Sequence, residues 1–386
     1  MLIDDLATPT LLVEDAHLRV NLDRMQARAA AHNVALRPHI KTHKSVRIAQ
    51  MQTEAGAAGL TASKPSEAAP FVEAGLRDVF LAYPVAGHVR VAEVRALAVR
   101  ARLTLGVDTK DGAEALSAAF EDAPVDVRVE LDCGHHRTGR REHGAELAEF
   151  ARFVAGLPGL RLAGLFTHEG HAYAGPRSGE TALDARRRVM TEARERLLGA
   201  AEALLAEGLA TPGAFDLSMG STPTATVFEN RTSSAGFRIT ELRPGNYVFR
   251  DAQQVALGSA TLEDCALTVL TSVVSIQTDD LGQQAVFFDA GKKVFTSDGG
   301  YGTTGYGIPL YNPRTMRELP HLRLTALSEE HGWAEVHGTF IAGVGDRIRI
   351  VPNHACVTVA TQERMFLVRG DEVVEELRID ARDGVR

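Results

Sequence analysis

The chain has 386 residues, a formal net charge of -8 and a pI near 6.0, a balance that argues against nucleic acid as the main partner. No apolar run approaches the roughly 20 residues of a membrane span, so no membrane partner is expected. The acidic start Met1–Asp5 lacks a signal-peptide pattern, and Cys133, Cys265 and Cys356 form neither an even set nor a CxxC pair; together these point to a reducing cytoplasm without a disulfide framework.

This length predicts two domains. Up to about residue 250, short apolar runs alternate with amphipathic stretches. The predicted strands are Val34–His39, Gly59–Ser63, Val79–Tyr83, Leu103–Val107, Val125–Leu131, Leu162–Thr167, Phe215–Met219 and Ile239–Phe249. Between them, Leu18–Ala31, Pro65–Glu73, Val91–Ala101, Ala113–Ala119, Ala145–Ala155 and Ala182–Ala206 repeat apolar residues every three to four positions, as helices packed on a sheet do. About eight strand–helix units in about 250 residues match a (β/α)8 TIM-type barrel. A doubly wound sheet is the alternative, but no GxGxxG follows an early strand. Beyond Phe249, the runs Leu257–Thr261, Ala266–Ile276, Gln284–Asp289, Arg323–Leu327, Ala334–Thr339, Arg347–Val351, Val357–Ala360 and Arg364–Val368 predict a C-terminal all-β domain. The fold class is therefore α/β with domains at 1–250 and 251–386. Residues 299–307, five of them glycine, predict a mobile loop.

The polar clusters fall at strand ends, where barrel enzymes place their chemistry. In Arg37–Ser45, an extended conformation puts His39, Lys41 and His43 on one face. A lysine flanked by cations and desolvated becomes a nucleophile suited to a carbonyl cofactor, of which pyridoxal phosphate is the commonest; an anion-binding or solvated loop is the plain alternative. Glu130–Gly139 offers Arg137 for a cofactor's phenolic oxygen, against an ordinary surface ion pair. Thr167–Tyr173 offers His168 and Tyr173 to stack on a ring or move protons, against a satisfied core histidine and tyrosine. Ser218–Thr224 and Arg243–Tyr247 resemble a phosphate cradle after strands seven and eight; in isolation Gly-Ser-Thr is better explained as a turn with a helix N-cap, and its position after strand seven reverses that preference. In Arg347–Cys356, an extended strand aligns His354 with Cys356, a pair suited to zinc with positions left open for water or substrate. A buried cysteine beside a chance histidine is the plain alternative. Glu329–Gly332 lies near this pair in the chain and offers a further polar contact.

The ordered set PHIKTHK, DCGHHRTG, THEGHAY, GSTPT, RPGNY, EEHG and PNHAC resembles the D-serine dehydratase and D-threonine aldolase group of alanine-racemase-like (fold type III) pyridoxal phosphate enzymes over nearly the whole chain. The resemblance implies that Lys41 bonds the cofactor covalently, Arg137 faces its phenolic oxygen, and His39, His168 and Tyr173 line it. It places the phosphate on Gly220, Ser221, Thr222, Gly245, Asn246 and Tyr247. It makes Lys41, His354 and Cys356 catalytic and gives the metal to His354 and Cys356. It also implies a homodimer whose sites form where one barrel meets the partner's β domain, with the extreme N-terminus joining that domain. Aldolases of this group carry aspartate two residues after the metal histidine and use manganese-like ions; Cys356 stands at that place here. The chain is thus expected to be a zinc-dependent dehydratase acting on a small D-3-hydroxy amino acid. The alternatives are retro-aldol cleavage with manganese, a racemase using Tyr301 or Tyr306, and a non-catalytic cofactor carrier. The paired His135 and His136 depart from many relatives.

Overall fold

In the computed structural model, which describes residues 1–338 and 340–385, the chain opens with strand β1 (Thr10–Glu14) and helix α1 (Asp15–Ala31). A regular alternation follows: β2 (Ala35–Leu36), α2 (Val46–Glu54), β3 (Leu60–Ala62), α3 (Pro65–Glu73), β4 (Asp78–Pro84), α4 (His88–Ala98), β5 (Arg102–Val107) and α5 (Lys110–Ala119). It continues through β6 (Val125–Leu131), α6 (Gly144–Ala155), β7 (Leu160–Thr167), α7 (Ala182–Ala206), β8 (Asp216–Met219), α8 (Thr222–Ala225), β9 (Glu241–Leu242) and α9 (Ala252–Ala256). Local chemistry sets the helix starts: Pro65 occupies the first turn of α3, and Thr181 caps α7 by accepting from Asp184 N.

Strands β2 to β9 form one parallel sheet in the order β2-β9-β8-β7-β6-β5-β4-β3. The seam between its ends closes at a bridge from His39 to Thr61, where Thr61 N donates to Pro38 O at 2.8 Å. This is the (β/α)8 barrel expected from the alternation. Inside it, Glu241 accepts from Arg37 Nε (2.6 Å), Arg128 Nη1 (2.5 Å) and Ser218 Oγ (2.7 Å), and all four side chains are buried.

The remaining strands are β10 (Leu267–Thr278), β11 (Gln284–Phe288), β12 (Gly307–Asn312), β13 (Arg317–Glu318), β14 (Leu322–Leu327), β15 (Gly332–Val336), β16 (Arg347–Pro352), β17 (Arg364–Arg369) and β18 (Glu372–Arg378), with short helices α10 (Lys292–Phe295) and α11 (Ala355–Ala360). They make a largely antiparallel sheet, and β1 is inserted in it between β10 and β17.

Several local expectations are corrected. Val34–His39 shortens to β2, and Ile40–Thr42 is a 3-10 turn, so the strand alternation proposed for His39, Lys41 and His43 does not hold. Ile239–Phe249 shortens to β9, because Pro244 and Gly245 end the run and Asn246–Val248 turns as 3-10. Val357–Ala360 is the body of α11, and Leu257–Thr261 is the turn after α9. Both are short apolar runs, for which periodicity does not separate strand from helix. Thr339, the end of one predicted strand, lies outside the described residues.

Candidate active site

The 3-10 turn at Ile40–Thr42 carries Lys41 into a cavity of about 510 Å3 at the C-terminal end of the barrel strands. His39 caps the turn: its Nδ1 accepts from Lys41 N at 3.3 Å, while Nε2 meets Ser63 Oγ at 3.4 Å. Burial, with the Lys41 and Arg243 cations nearby, pushes His39 well below the ordinary histidine range, so it acts as a neutral ring. Burial also lowers Lys41, opposed by Cys356 and helped by Arg137, which raises the share of free amine. His43 turns away: it accepts from Ser45 N at 3.1 Å and packs edge-on against Phe71.

From β7 come His168 and, on the following 3-10 turn, Tyr173; both line the cavity. His168 Nδ1 lies 3.0 Å from Gly220 O, so Nδ1 donates and Nε2 is free to accept. Arg137 stands in an adjoining cavity of about 480 Å3 that shares His39, Lys41, His168 and Arg243 with the first. The loop after β6 explains the paired histidines. Asp132 accepts from the N–H groups of Gly134 (2.9 Å) and His136 (3.0 Å) and from the His136 ring (2.7 Å). That turn points His136 outward and leaves His135 against the cavity, T-shaped to His168 at 5.7 Å.

Gly220, Ser221, Thr222, Gly245 and Asn246 all line the same cavity. Two features of this stretch fit a phosphate. Added Cβ atoms would meet Arg243 N at 2.5 Å from Gly220, and Thr42 Oγ1 at 2.9 Å from Gly245, so only glycine lets these two backbone segments pack so closely beside the cavity. Asn246 Oδ1 is buried without a partner among the described residues. Ser221 is at the same time the N-cap of α8 and a lining residue of the cavity. Tyr247 is different: its ring is buried away from the cavity, its hydroxyl accepts from Gln52 Nε2 at 3.1 Å, and only its N–H reaches the cradle, donating to Thr222 Oγ1 at 3.2 Å.

The β domain brings His354 and Cys356 into this cavity from the start of α11, not from a strand. Cys356 Sγ lies 3.2 Å from Thr42 Oγ1. Burial alone would favour neutral forms. Each side chain opposes that effect in the other, raising His354 to about 10 and lowering Cys356 from its ordinary thiol range. Asp298 bonds His354 Nδ1, the outer-carboxylate arrangement that orients metal-binding histidines. Among the described residues, no three His, Cys, Asp or Glu side chains group to hold a metal, so a metal on this pair would need its further ligands from water or substrate. Lys41 and this pair come from one chain. Glu329–Gly332 contributes nothing to the cavity; Glu330 pairs with Lys293.

Besides Asp298, two site residues were missed in sequence. Arg243 lines both cavities, with Nε on Ser218 Oγ (2.7 Å) and Nη2 on Thr167 O. Glu169 is fully buried behind the cradle, accepting from Gly220 N (3.2 Å) and Thr224 Oγ1 (3.3 Å), and burial raises it to about 7. The motifs THEGHAY and RPGNY contain both, but only their distant partners reveal them.

Residues 13–253 match the alanine racemase N-terminal domain, and residues 266–368 match the serine dehydratase domain. The chain belongs to the alanine-racemase-like (fold type III) pyridoxal phosphate enzymes. Its relatives in this family are lyases. It is 35% identical to D-threo-3-hydroxyaspartate dehydratase of Delftia sp. (strain HT23), covering 92% of each chain. It is 33% identical to D-threonine aldolase of Arthrobacter sp, over 96% of this chain and 91% of that one. Among solved structures, a cysteine-to-alanine variant of D-threo-3-hydroxyaspartate dehydratase in its metal-free form superposes with a TM-score of 0.86 at 32% identity, covering 98% of both chains. As a fold type III enzyme the chain acts with pyridoxal phosphate, and no helix among the described residues is long and apolar enough to cross a membrane.

Proposed function

We propose that this chain is a zinc-dependent dehydratase that converts a D-serine-like D-3-hydroxy amino acid into a 2-oxo acid and ammonia, working as a cytoplasmic homodimer. The observation that carries the proposal is the His354–Cys356 pair in the same cavity as Lys41. A thiolate beside an imidazole favours zinc over magnesium or calcium, which take oxygen ligands.

Lys41 would hold pyridoxal phosphate through its amine, Gly220 to Thr222 with Gly245 and Asn246 its phosphate, and His354 with Cys356 the metal. Bound there, the cofactor supplies an electron sink for charge developing at Cα, and the metal a Lewis acid for the β-hydroxyl. The protein's own groups do the rest. Lys41 Nζ, when not bonded to the cofactor, is a free amine favoured by burial and would take the proton from the substrate Cα. His39 stays neutral and holds the Lys41 turn through Nδ1. His168 offers an accepting Nε2, and Arg243, tied to Ser218 and Thr167, keeps a fixed cation at the junction of the two cavities. Asp298 holds the His354 ring in one orientation.

The test is product analysis. Purified enzyme is given D-serine, D-threonine, D-3-hydroxyaspartate and their L-isomers, with ammonia and aldehydes measured separately. Ammonia and 2-oxo acid from the D-isomers support dehydration. Glycine and an aldehyde without ammonia would assign the chain to retro-aldol cleavage instead.

A further inference from the structure

The second lysine of the PHIKTHK motif, Lys44, points away from the cavity, yet the residue is only 4% exposed. It lies 3.1 Å from Glu67 Oε1, itself buried, and donates to Ala381 O at 3.2 Å. The Lys44 backbone sits at φ 51, a left-handed conformation that a lysine keeps only where its surroundings impose it. They do so from both sides. Lys44 N donates to Ile40 O at 2.8 Å, closing the turn that carries Lys41, and Lys44 O accepts from Ala381 N at 3.0 Å. One residue earlier, Asp380 Oδ2 accepts from Val46 N at 2.8 Å.

From Glu67 the contacts run on into the site. Its Oε2 accepts from Ser63 N at 2.7 Å, Ser63 Oγ meets His39 Nε2, and His39 Nδ1 accepts from Lys41 N. Residues 380 and 381 lie outside both matched family segments, 13–253 and 266–368.

We infer that Lys44 is a positioning residue: clasped by residues 380–381 and paired with Glu67, it fixes the 3-10 turn that aims the Lys41 amine into the cavity. The inference rests on the assignment of Lys41 as the residue that bonds the cofactor. A buried ammonium needs its carboxylate and carbonyl partners, so its removal frees the clasp and leaves Glu67 unpaired. The turn then loses the contacts that impose its left-handed residue. A nucleophile displaced by about 1 Å reacts on the order of a hundredfold more slowly even when the rest of the site is intact.

The experiment separates aiming from general damage. Lys44→Met is combined with Glu67→Gln so that no lone charge remains buried, and Lys44→Arg and Asp380→Ala are made alongside. Two quantities are read on cofactor-free protein. One is the rate of covalent capture of pyridoxal phosphate, in which the Lys41 amine condenses with the aldehyde and one water is released. The other is the affinity for pyridoxine 5′-phosphate, which has no aldehyde and tests the cradle alone. The double variant should capture at least about tenfold more slowly while holding pyridoxine phosphate within about twofold of the parent. Asp380→Ala should show the same pattern to a lesser degree, and Lys44→Arg should recover most of the rate. Capture at the parental rate overturns the inference, and so does an equal loss of both quantities, which would mark a merely structural ion pair. If the parent itself captures no cofactor, the assignment of Lys41 has failed instead.

Discussion

Replacing Glu241 by glutamine tests whether the barrel interior rests on one ionised carboxylate. Burial alone would push this carboxyl above its ordinary 4.5; Arg128 and Arg37 more than reverse that and hold it at about 2. A carboxyl held at about 2 instead of 4.5 is worth about 3 kcal/mol at neutral pH. Breaking a buried ion pair by removing one partner costs about 3–5 kcal/mol by an independent route. Glu241→Gln keeps the shape but leaves Arg37 and Arg128 facing a neutral amide, so a loss of about 3 kcal/mol is expected. Urea unfolding of cofactor-free protein, followed by circular dichroism, measures it as a fall in the transition midpoint with unchanged slope. The sign with pH follows from the depressed value. The contribution is present above about 4.5 and disappears as pH falls through about 2. The gap between parent and variant should therefore narrow progressively below about pH 4.5. A loss under about 1 kcal/mol at neutral pH, or a gap that stays constant into acid, would refute this account of the barrel interior.

Other outcomes follow from the site. Thr222→Val should weaken cofactor retention roughly 10- to 100-fold on dialysis, since a charge-assisted hydrogen bond contributes about 1.5–3 kcal/mol, with little change in unfolding. Glu169 is raised to about 7, so its contribution to stability is full below about 4.5 and is lost as pH rises through about 7. Glu169→Gln should flatten the fall in melting temperature between pH 5 and pH 8, and an unchanged slope would remove Glu169 as its source. Cys356→Asp, which exchanges a soft ligand for a hard one, should lose zinc-supported ammonia release and gain manganese-supported cleavage; zinc-supported activity at the parental level would contradict the thiolate role. Borohydride reduction and peptide mapping should label Lys41, and label on Lys44 would reverse the assignment of the two lysines.

The parts of this molecule legible in sequence are those with local signatures. Pro65–Glu73 and Ala182–Ala206 carry both a helical apolar period and a start signal, and the structure gives both helices these bounds. Lys41, His168, Gly220, Asn246, His354 and Cys356 were selected from separate motifs, and the fold brings them to one cavity because each follows a strand end or begins a helix beside it. What was illegible depends on distant partners. β1 pairs with strands more than 250 residues away; the family resemblance implied that the N-terminus joins the β domain, but nothing within Thr10–Glu14 itself announces these partners. Glu241 reads as an ordinary polar residue until Arg37 and Arg128 close on it. His39 and Lys41 are related by a capped turn instead of strand alternation, a conformation set by contacts with Thr61, Lys44 and Pro244 that the nine-residue motif does not display.

The central claim is that a metal on His354 and Cys356 assists loss of the β-hydroxyl beside Lys41. The most direct measurement is a zinc titration of chelated enzyme with the cofactor left in place, reading ammonia released from D-serine and from D-3-hydroxyaspartate. The account predicts no ammonia from the stripped enzyme and turnover that rises in proportion to added zinc, levelling at one ion per chain. Full ammonia release with no metal bound, or restoration only by manganese with glycine and an aldehyde as products, would contradict it.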